Sequence, residues 1–299
     1  MSTPPFLTLP PCARAYRLGT ARGDFAVHEA TPPAGTRLRG SALLVPGFGG
    51  SKEDFIALLE PLADRGFRVV AVDGRGQHES GGPREESAYT QRELAQDVLA
   101  QAAAISGSAA DGHGADGGAV HLLGHSLGGL ITRSAVLEHS APFASFTIMS
   151  SGPAAISATQ QARTKLLIDA LLLLDMEGVW QAMRDLDPPE AAADGTPPEL
   201  REFLHRRWLG TVPEQLIATG KQLIGEPDRV TELAAVPLPK LVLSGEVDYA
   251  WPVPLIDDMA VRLDARRTLI EGAEHSPNAE QPQATARALA DFWETPQGL

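Results

Sequence analysis

Ala119-Val120-His121-Leu122-Leu123-Gly124-His125-Ser126-Leu127-Gly128-Gly129 decides how this sequence is read. Residues 119–123 are apolar apart from His121, a run of strand length. Gly124-His125-Ser126-Leu127-Gly128 follows at once and matches Gly-x-Ser-x-Gly. From Leu127 to His139 the apolar residues return at helical spacing. Strand, sharp turn and helix are the setting this motif needs, because the serine must stand exposed on a strained turn. Small flanking residues let the strand and the helix approach each other there. A glycine-rich turn whose serine merely caps the helix is the alternative. The strand before it and the helix after it favour a nucleophile at Ser126.

The same alternation extends in both directions. Further β-rich apolar runs fall at 25–28, 42–45, 68–72, 146–149, 240–243 and 267–270. Most are continuously apolar, as in parallel strands covered on both faces. Helical spacing fills 51–65 and 90–105 between them, and Ser51 with Asp54 suits a helix start. The pattern predicts an α/β fold with a doubly wound sheet. Residues 106–118, rich in Gly, Ala and Ser, read as a surface loop with a solvated His113. Residues 153–236 break the rhythm. They hold helical patterns at 162–174, 178–186, 198–208 and 213–224, punctuated by Pro188-Pro189 and Pro197-Pro198, with no convincing strand. The expected organisation is a core of 1–152 and 237–299 with a helical cap, or lid, of 153–236.

A serine hydroxyl needs a base to take its proton. His275, in the loop after the last strand candidate and before a final helix at 281–293, is the expected base. His78, in a loop after another strand, competes, but the chain order serine, acid, histidine favours His275. His28, His121, His139 and His205 suit core or solvated positions. The acid must lie between, and Asp248 in Ser244-Gly245-Glu246-Val247-Asp248 follows the strand at 240–243, with Glu246 as the local alternative. Its task is to hold the imidazole tautomer and stabilise the imidazolium. The oxyanion that forms on attack needs backbone N–H donors. Leu127, next to the nucleophile, supplies one, and Phe48 in Pro46-Gly47-Phe48-Gly49-Gly50 supplies the other. That loop lacks a Gly-x-x-x-x-Gly-Lys-Ser/Thr pattern, which disfavours nucleotide binding.

The charge balance of 25 basic and 38 acidic residues, a net −13, disfavours nucleic acid and anionic membrane as partners. The partner expected is a small-molecule substrate, with a monomer or homodimer left open. The lone cysteine, Cys12, excludes an intrachain disulfide. No signal peptide and no membrane span is legible, so a cytoplasmic protein is expected.

Together these motifs resemble the α/β-hydrolase superfamily, its serine-nucleophile, esterase- and lipase-like branch, over almost the whole chain. The resemblance rests on the glycine loop, Asp73-Gly74-Arg75-Gly76-Gln77-His78-Glu79-Ser80-Gly81, Gly-His-Ser-Leu-Gly-Gly, Gly-x-x-Asp and a late Gly-x-x-His. It implies a mostly parallel eight-stranded sheet flanked by helices, and a helical cap after the sixth strand. It implies acyl transfer to Ser126 followed by water, with no cofactor and no metal. Two departures stand out: Pro46 replaces the usual His before Gly47, and His78 replaces a glycine. Relatives that are dehalogenases or epoxide hydrolases carry an aspartate nucleophile, which Ser126 argues against. The Leu-rich cap suggests carboxylic esters of small to medium, mainly apolar groups. His78, His125, Trp180 and Met176 are the candidate substrate-pocket residues. Thioesters, lactones, C–C bonds, cofactor-free perhydrolysis or haloperoxidation, and ligand binding without turnover are the alternatives.

Overall fold

The computed structural model describes residues 2–108, 118–186 and 195–295; His113, most of its loop and the Pro188-Pro189 pair lie outside them. β1 (Ala13–Thr20) and β2 (Gly23–Ala30) form a hairpin. β3 (Gly40–Val45), β4 (Phe67–Val72), β5 (Val120–His125), β6 (Phe143–Met149), β7 (Lys240–Gly245) and β8 (Arg266–Ile270) follow. The eight make one sheet in the order β1-β2-β4-β3-β5-β6-β7-β8, antiparallel at β1–β2 and β2–β4 and parallel elsewhere. This is the α/β-hydrolase fold.

The apolar runs read from the sequence supply seven of these strands. β1 escaped that reading because only Leu18 in it is buried, while Arg14, Ala15, Arg17 and Gly19 are exposed. It is an edge strand, and its arginines discourage pairing with another chain. The central strands β3, β4 and β5 carry the expected double cover, with Leu43, Leu44, Val70, Ala71, Leu122 and Leu123 fully buried.

α1 (Ile56–Asp64) packs with the C-terminal helix on one face. α2 (Gln91–Ser108) and α3 (Leu127–Glu138) pack together on the other. α2 runs three residues past the expected end at 105.

Between β6 and β7 lie α4 (Ala158–Leu173), α5 (Met176–Leu186), α6 (Pro198–Gly210), α7 (Pro213–Gly225) and α8 (Val230–Ala234). α9 (Val253–Arg262), α10 (Pro277–Glu280) and α11 (Pro282–Glu294) complete the chain. The helices between β6 and β7 have a small core of their own, with Ile168, Leu171, Val179, Trp208, Leu216 and Ile217. No helix among the described residues is long and apolar enough to cross a membrane.

Burial pushes the pKa of three histidines in this frame down: His28 and His121 to about 4, His125 to about 3. The same rings in an unfolded chain titrate near 6.5. Below that pH the unfolded state binds more protons, so stability falls as pH drops toward about 4 and is complete above about 6.5. Each of His28 and His121 contributes on the order of 3 kcal/mol across that window. Denaturant midpoints should therefore fall steadily between about pH 7 and pH 4.5. A His121→Phe variant should flatten part of the slope, and an unchanged midpoint across the window would contradict the buried neutral rings.

Candidate active site

β5 ends against Ser126, whose φ of 55° and ψ of −120° place it outside the regions an L-residue prefers. The strain is held by close packing. A Cβ on Gly124 would collide with Thr132 Oγ1 and the Gly128 carbonyl, and one on Gly128 with the Val45 carbonyl. Only glycine lets α3 start this close to the ends of β3 and β5. The Ser126 N–H donates to the Met149 carbonyl (2.9 Å), anchoring the turn to β6.

Two later loops meet this turn. His275 Nε2 lies 3.0 Å from Ser126 Oγ, and its Nδ1 lies 2.8 Å from Asp248 Oδ2. A carboxylate oxygen accepts, so Nδ1 carries the proton and Nε2 offers its lone pair to the serine hydroxyl. The other oxygen of Asp248 accepts from the N–H groups of Ala250 (2.8 Å) and Trp251 (2.9 Å). Glu246 N–H donates to the Ala273 carbonyl (2.8 Å), tying the two loops together. The Glu246 carboxylate turns away and accepts from the Gly272 N–H (2.8 Å). The structure thus brings Ser126, Asp248 and His275 into one line and leaves Glu246 outside it.

Leu127 opens α3, so its N–H is among the donors a helix start leaves without an intrahelical acceptor. Phe48 N–H has no partner among the described residues. Its direction is set from the far end of the same peptide. Gln77 Nε2 donates to the Gly47 carbonyl (2.8 Å), and Gln77 Oε1 accepts from Gly74 N–H (2.9 Å). In a trans peptide the C=O and the next N–H point oppositely. Holding the Gly47 carbonyl therefore aims the Phe48 N–H the other way.

Beside Ser126 is a cavity of about 140 Å³. Phe48, Ile156 and Leu223 give it an apolar side, and Ser2, Gln160 and Thr164 a polar one. Tyr249 stands over the His275 ring, with centroids 4.7 Å apart, and burial followed by Asp248 pushes its phenol up to about 12. Asp54 on the wall belongs to a buried ion pair. Arg207 Nη1 of α6 donates to Asp54 Oδ1 (2.7 Å), both side chains being 1% exposed. Arg207 Nη2 donates to the Ser2 carbonyl (2.9 Å), and Asp54 Oδ2 accepts from Ser51 N–H (3.2 Å). Asn278 Nδ2 donates to the Asp54 carbonyl (2.6 Å). One guanidinium therefore joins the helices between β6 and β7, the loop after β3 and the N-terminal segment.

The other pocket candidates distribute unevenly. His125 does line the cavity, and its Nε2–H donates to the His275 carbonyl (2.8 Å). His78, Trp180 and Met176 are not among the cavity's lining residues. His78 sits at φ 39° with its ring edge-on to Phe203. Trp180 tilts against His205, and Met176 joins the small helical core, its carbonyl accepting from Trp208 Nε1 (2.7 Å). The leucines expected to make the pocket apolar do not. Leu166, Leu172, Leu173 and Leu174 are exposed, and Leu171 packs inside the helical core. The cavity is faced instead by the first two turns of α4, whose Gln160 and Thr164 gave no signal in the sequence.

Glu53, His78 and Glu79 cluster closely enough to suggest a metal site. Lys52 Nζ already fills it, at 2.9 Å from Glu53, 2.8 Å from Glu79 and 3.0 Å from Asp73. Burial alone would lower the lysine pKa, but Asp73 and Glu53 outweigh it and raise it, so the ammonium stays charged.

A strained serine at the end of the central strand, an imidazole and a carboxylate on successive later loops define a hydrolase of α/β type. The chain belongs to the alpha/beta hydrolase family, whose model matches residues 42–288. It is 26% identical over 260 residues to a pimeloyl-[acyl-carrier protein] methyl ester esterase of Aeromonas hydrophila, covering 84% of this chain and 94% of that one. A thermophilic esterase from Thermogutta terrifontis superposes with TM-score 0.70 at 22% identity, over 94% of this chain and 98% of that one. The enol-lactonase from Burkholderia xenovorans superposes with TM-score 0.71 at 19% identity, over 93% and 99%.

Proposed function

We propose that this chain hydrolyses carboxylic esters through an acyl-enzyme on Ser126. The observation that carries the reading is the unbroken line from Ser126 Oγ through His275 to Asp248 at 3.0 and 2.8 Å, opening on a cavity. Ser126 Oγ attacks the ester carbonyl as His275 Nε2 takes its proton. Asp248 holds the Nδ1–H and stabilises the imidazolium. The carbonyl oxygen becomes an oxyanion facing the N–H groups of Phe48 and Leu127. Collapse breaks the C–O bond, and His275 passes its proton to the leaving alkoxide. Water, deprotonated by His275, then attacks the acyl carbon, and the serine leaves with its proton restored. The helices of 153–236 act as a cap over this centre. A relative named as a methyl ester esterase supports the ester class.

A fluorophosphonate probe tests the reading, since it phosphonylates an activated serine. Labelling should appear on the peptide containing Ser126 and vanish in His275→Ala. Labelling elsewhere, or none at all, would overturn the assignment. A second expectation concerns the oxyanion donor. Gln77→Leu should lower kcat about 10- to 100-fold with KM little changed, because a misaimed Phe48 N–H matters only once charge develops. A pure rise in KM would assign Gln77 to substrate binding instead.

A further inference from the structure

Among the residues lining the cavity none is a lysine or arginine, and the histidines present are His275 and the neutral His125. The one carboxylate on the wall outside the Ser126–His275–Asp248 line, Asp54, has each oxygen already engaged, by Arg207 and by Ser51 N–H. An anionic substrate group would thus enter a small space without a counter-charge, which a buried charge does not tolerate. A cationic group would find Asp54 already spent on Arg207.

The polar groups left over are neutral. Gln160 and Thr164 stand four residues apart, on one face of α4. Neither side chain has a hydrogen-bond partner among the described residues, although both line the cavity. Their positions are well defined. The start of α4 is pinned by Ser157 N–H to the Ala250 carbonyl (2.8 Å) and Ser157 Oγ to the Tyr249 carbonyl (3.0 Å). Thr164 also turns its methyl toward Gly220 of α7, where a Cβ would approach to 3.2 Å. Ile156 and Leu223 also line the cavity and suit methylenes.

From this arrangement we propose that the cavity selects a short, uncharged ester bearing a hydrogen-bonding group such as an amide, which Gln160 and Thr164 receive. The proposal rests on the ester-hydrolase reading above and names its substrate class. A cavity of 140 Å³ sets the size, since about 150 Å³ holds a benzene-sized group. An acyl chain of two methylenes ending in a carboxamide is of that scale. Gln160 offers both a donor and an acceptor, so a primary amide can be met at both of its ends.

Three methyl esters of matched shape test this: methyl succinamate, methyl 4-methylpentanoate and monomethyl succinate. They share CH₃O–CO–CH₂CH₂– and differ only in ending as an amide, an isopropyl group or a carboxylate. Proton release in a pH-stat measures kcat/KM for each. The amide ester should exceed the isopropyl ester by about 10-fold, the scale of one or two good hydrogen bonds. The carboxylate ester should be slowest. In Gln160→Leu the amide-to-isopropyl ratio should collapse toward unity, and Gln160→Lys should raise the carboxylate ester relative to the amide. An isopropyl ester as fast as the amide in the wild type, or a ratio unmoved by Gln160→Leu, overturns the proposal. Ser126 labelling by a small fluorophosphonate separates the two readings. Intact labelling with no preference among the esters rejects the substrate class alone. Absent labelling rejects the acyl-enzyme and the substrate class with it.

Discussion

Ser126→Ala is expected to lower kcat on any ester the protein turns over by about a million-fold, the scale seen when such a nucleophile is removed from a coupled unit. Fluorophosphonate labelling should disappear with it. The substitution removes one oxygen whose only hydrogen bond among the described residues is to His275 Nε2. It keeps the Cβ, and the backbone anchor to Met149 does not involve the side chain. The fold and melting temperature should therefore be nearly unchanged. A residual acceleration over water of about a thousand-fold is expected to remain, because the oxyanion donors and the cavity stay in place. Ester turnover undiminished in this variant would show that Ser126 is a capping residue and nothing more. The companion Asp248→Asn should cost about ten thousand-fold, through the wrong imidazole tautomer. His78→Ala should have little effect on turnover, since His78 is not among the lining residues of the cavity.

Arg207→Met should destabilise the protein by about 3–5 kcal/mol, seen as a fall of roughly 10 °C in the melting temperature. The argument is one of desolvation. Asp54 is fully buried, and burial already raises its pKa against the pull of Arg207. Without the guanidinium its carboxylate is a buried charge with a single backbone donor among the described residues, Ser51 N–H. The Ser2 carbonyl loses its donor at the same time. Pairing the change with Asp54→Leu should recover part of the loss, because removing both charges removes the desolvation cost as well. The recovery is incomplete, since Asp54 also caps the turn at Ser51. A double variant no more stable than Arg207→Met would refute the electrostatic account and point to packing.

What the sequence disclosed follows from what leaves a pattern. Ser126 was legible because a buried parallel strand is continuously apolar and the turn after it must be small. Asp248 and His275 were legible because each follows an apolar run and the order of the three is constrained. β1 was not, because an edge strand has no need of an apolar run. The burial of Arg207, Asp54 and Lys52 was also invisible, since charged residues ordinarily mark the surface and nothing local announces a buried pair. The orientation of α4 was lost for a related reason. Its leucines occur on several faces, so composition suggested an apolar pocket while the wall facing Ser126 carries Gln160 and Thr164. Ser2 comes from a segment without periodicity, and only the folded chain shows it beside Ser276, hydroxyl to hydroxyl at 2.8 Å.

The sheet order has a consequence for the newborn chain. Ser126 directly follows β5, and His275, its hydrogen-bond partner, comes 149 residues later, beyond β8. At ribosomal speeds of about 5–20 residues per second, roughly seven to thirty seconds separate the two. Throughout that interval the emerging polypeptide carries Ser126 without His275. If Ser126 acts as proposed, its activation waits until the last two strands add themselves to the edge of β6.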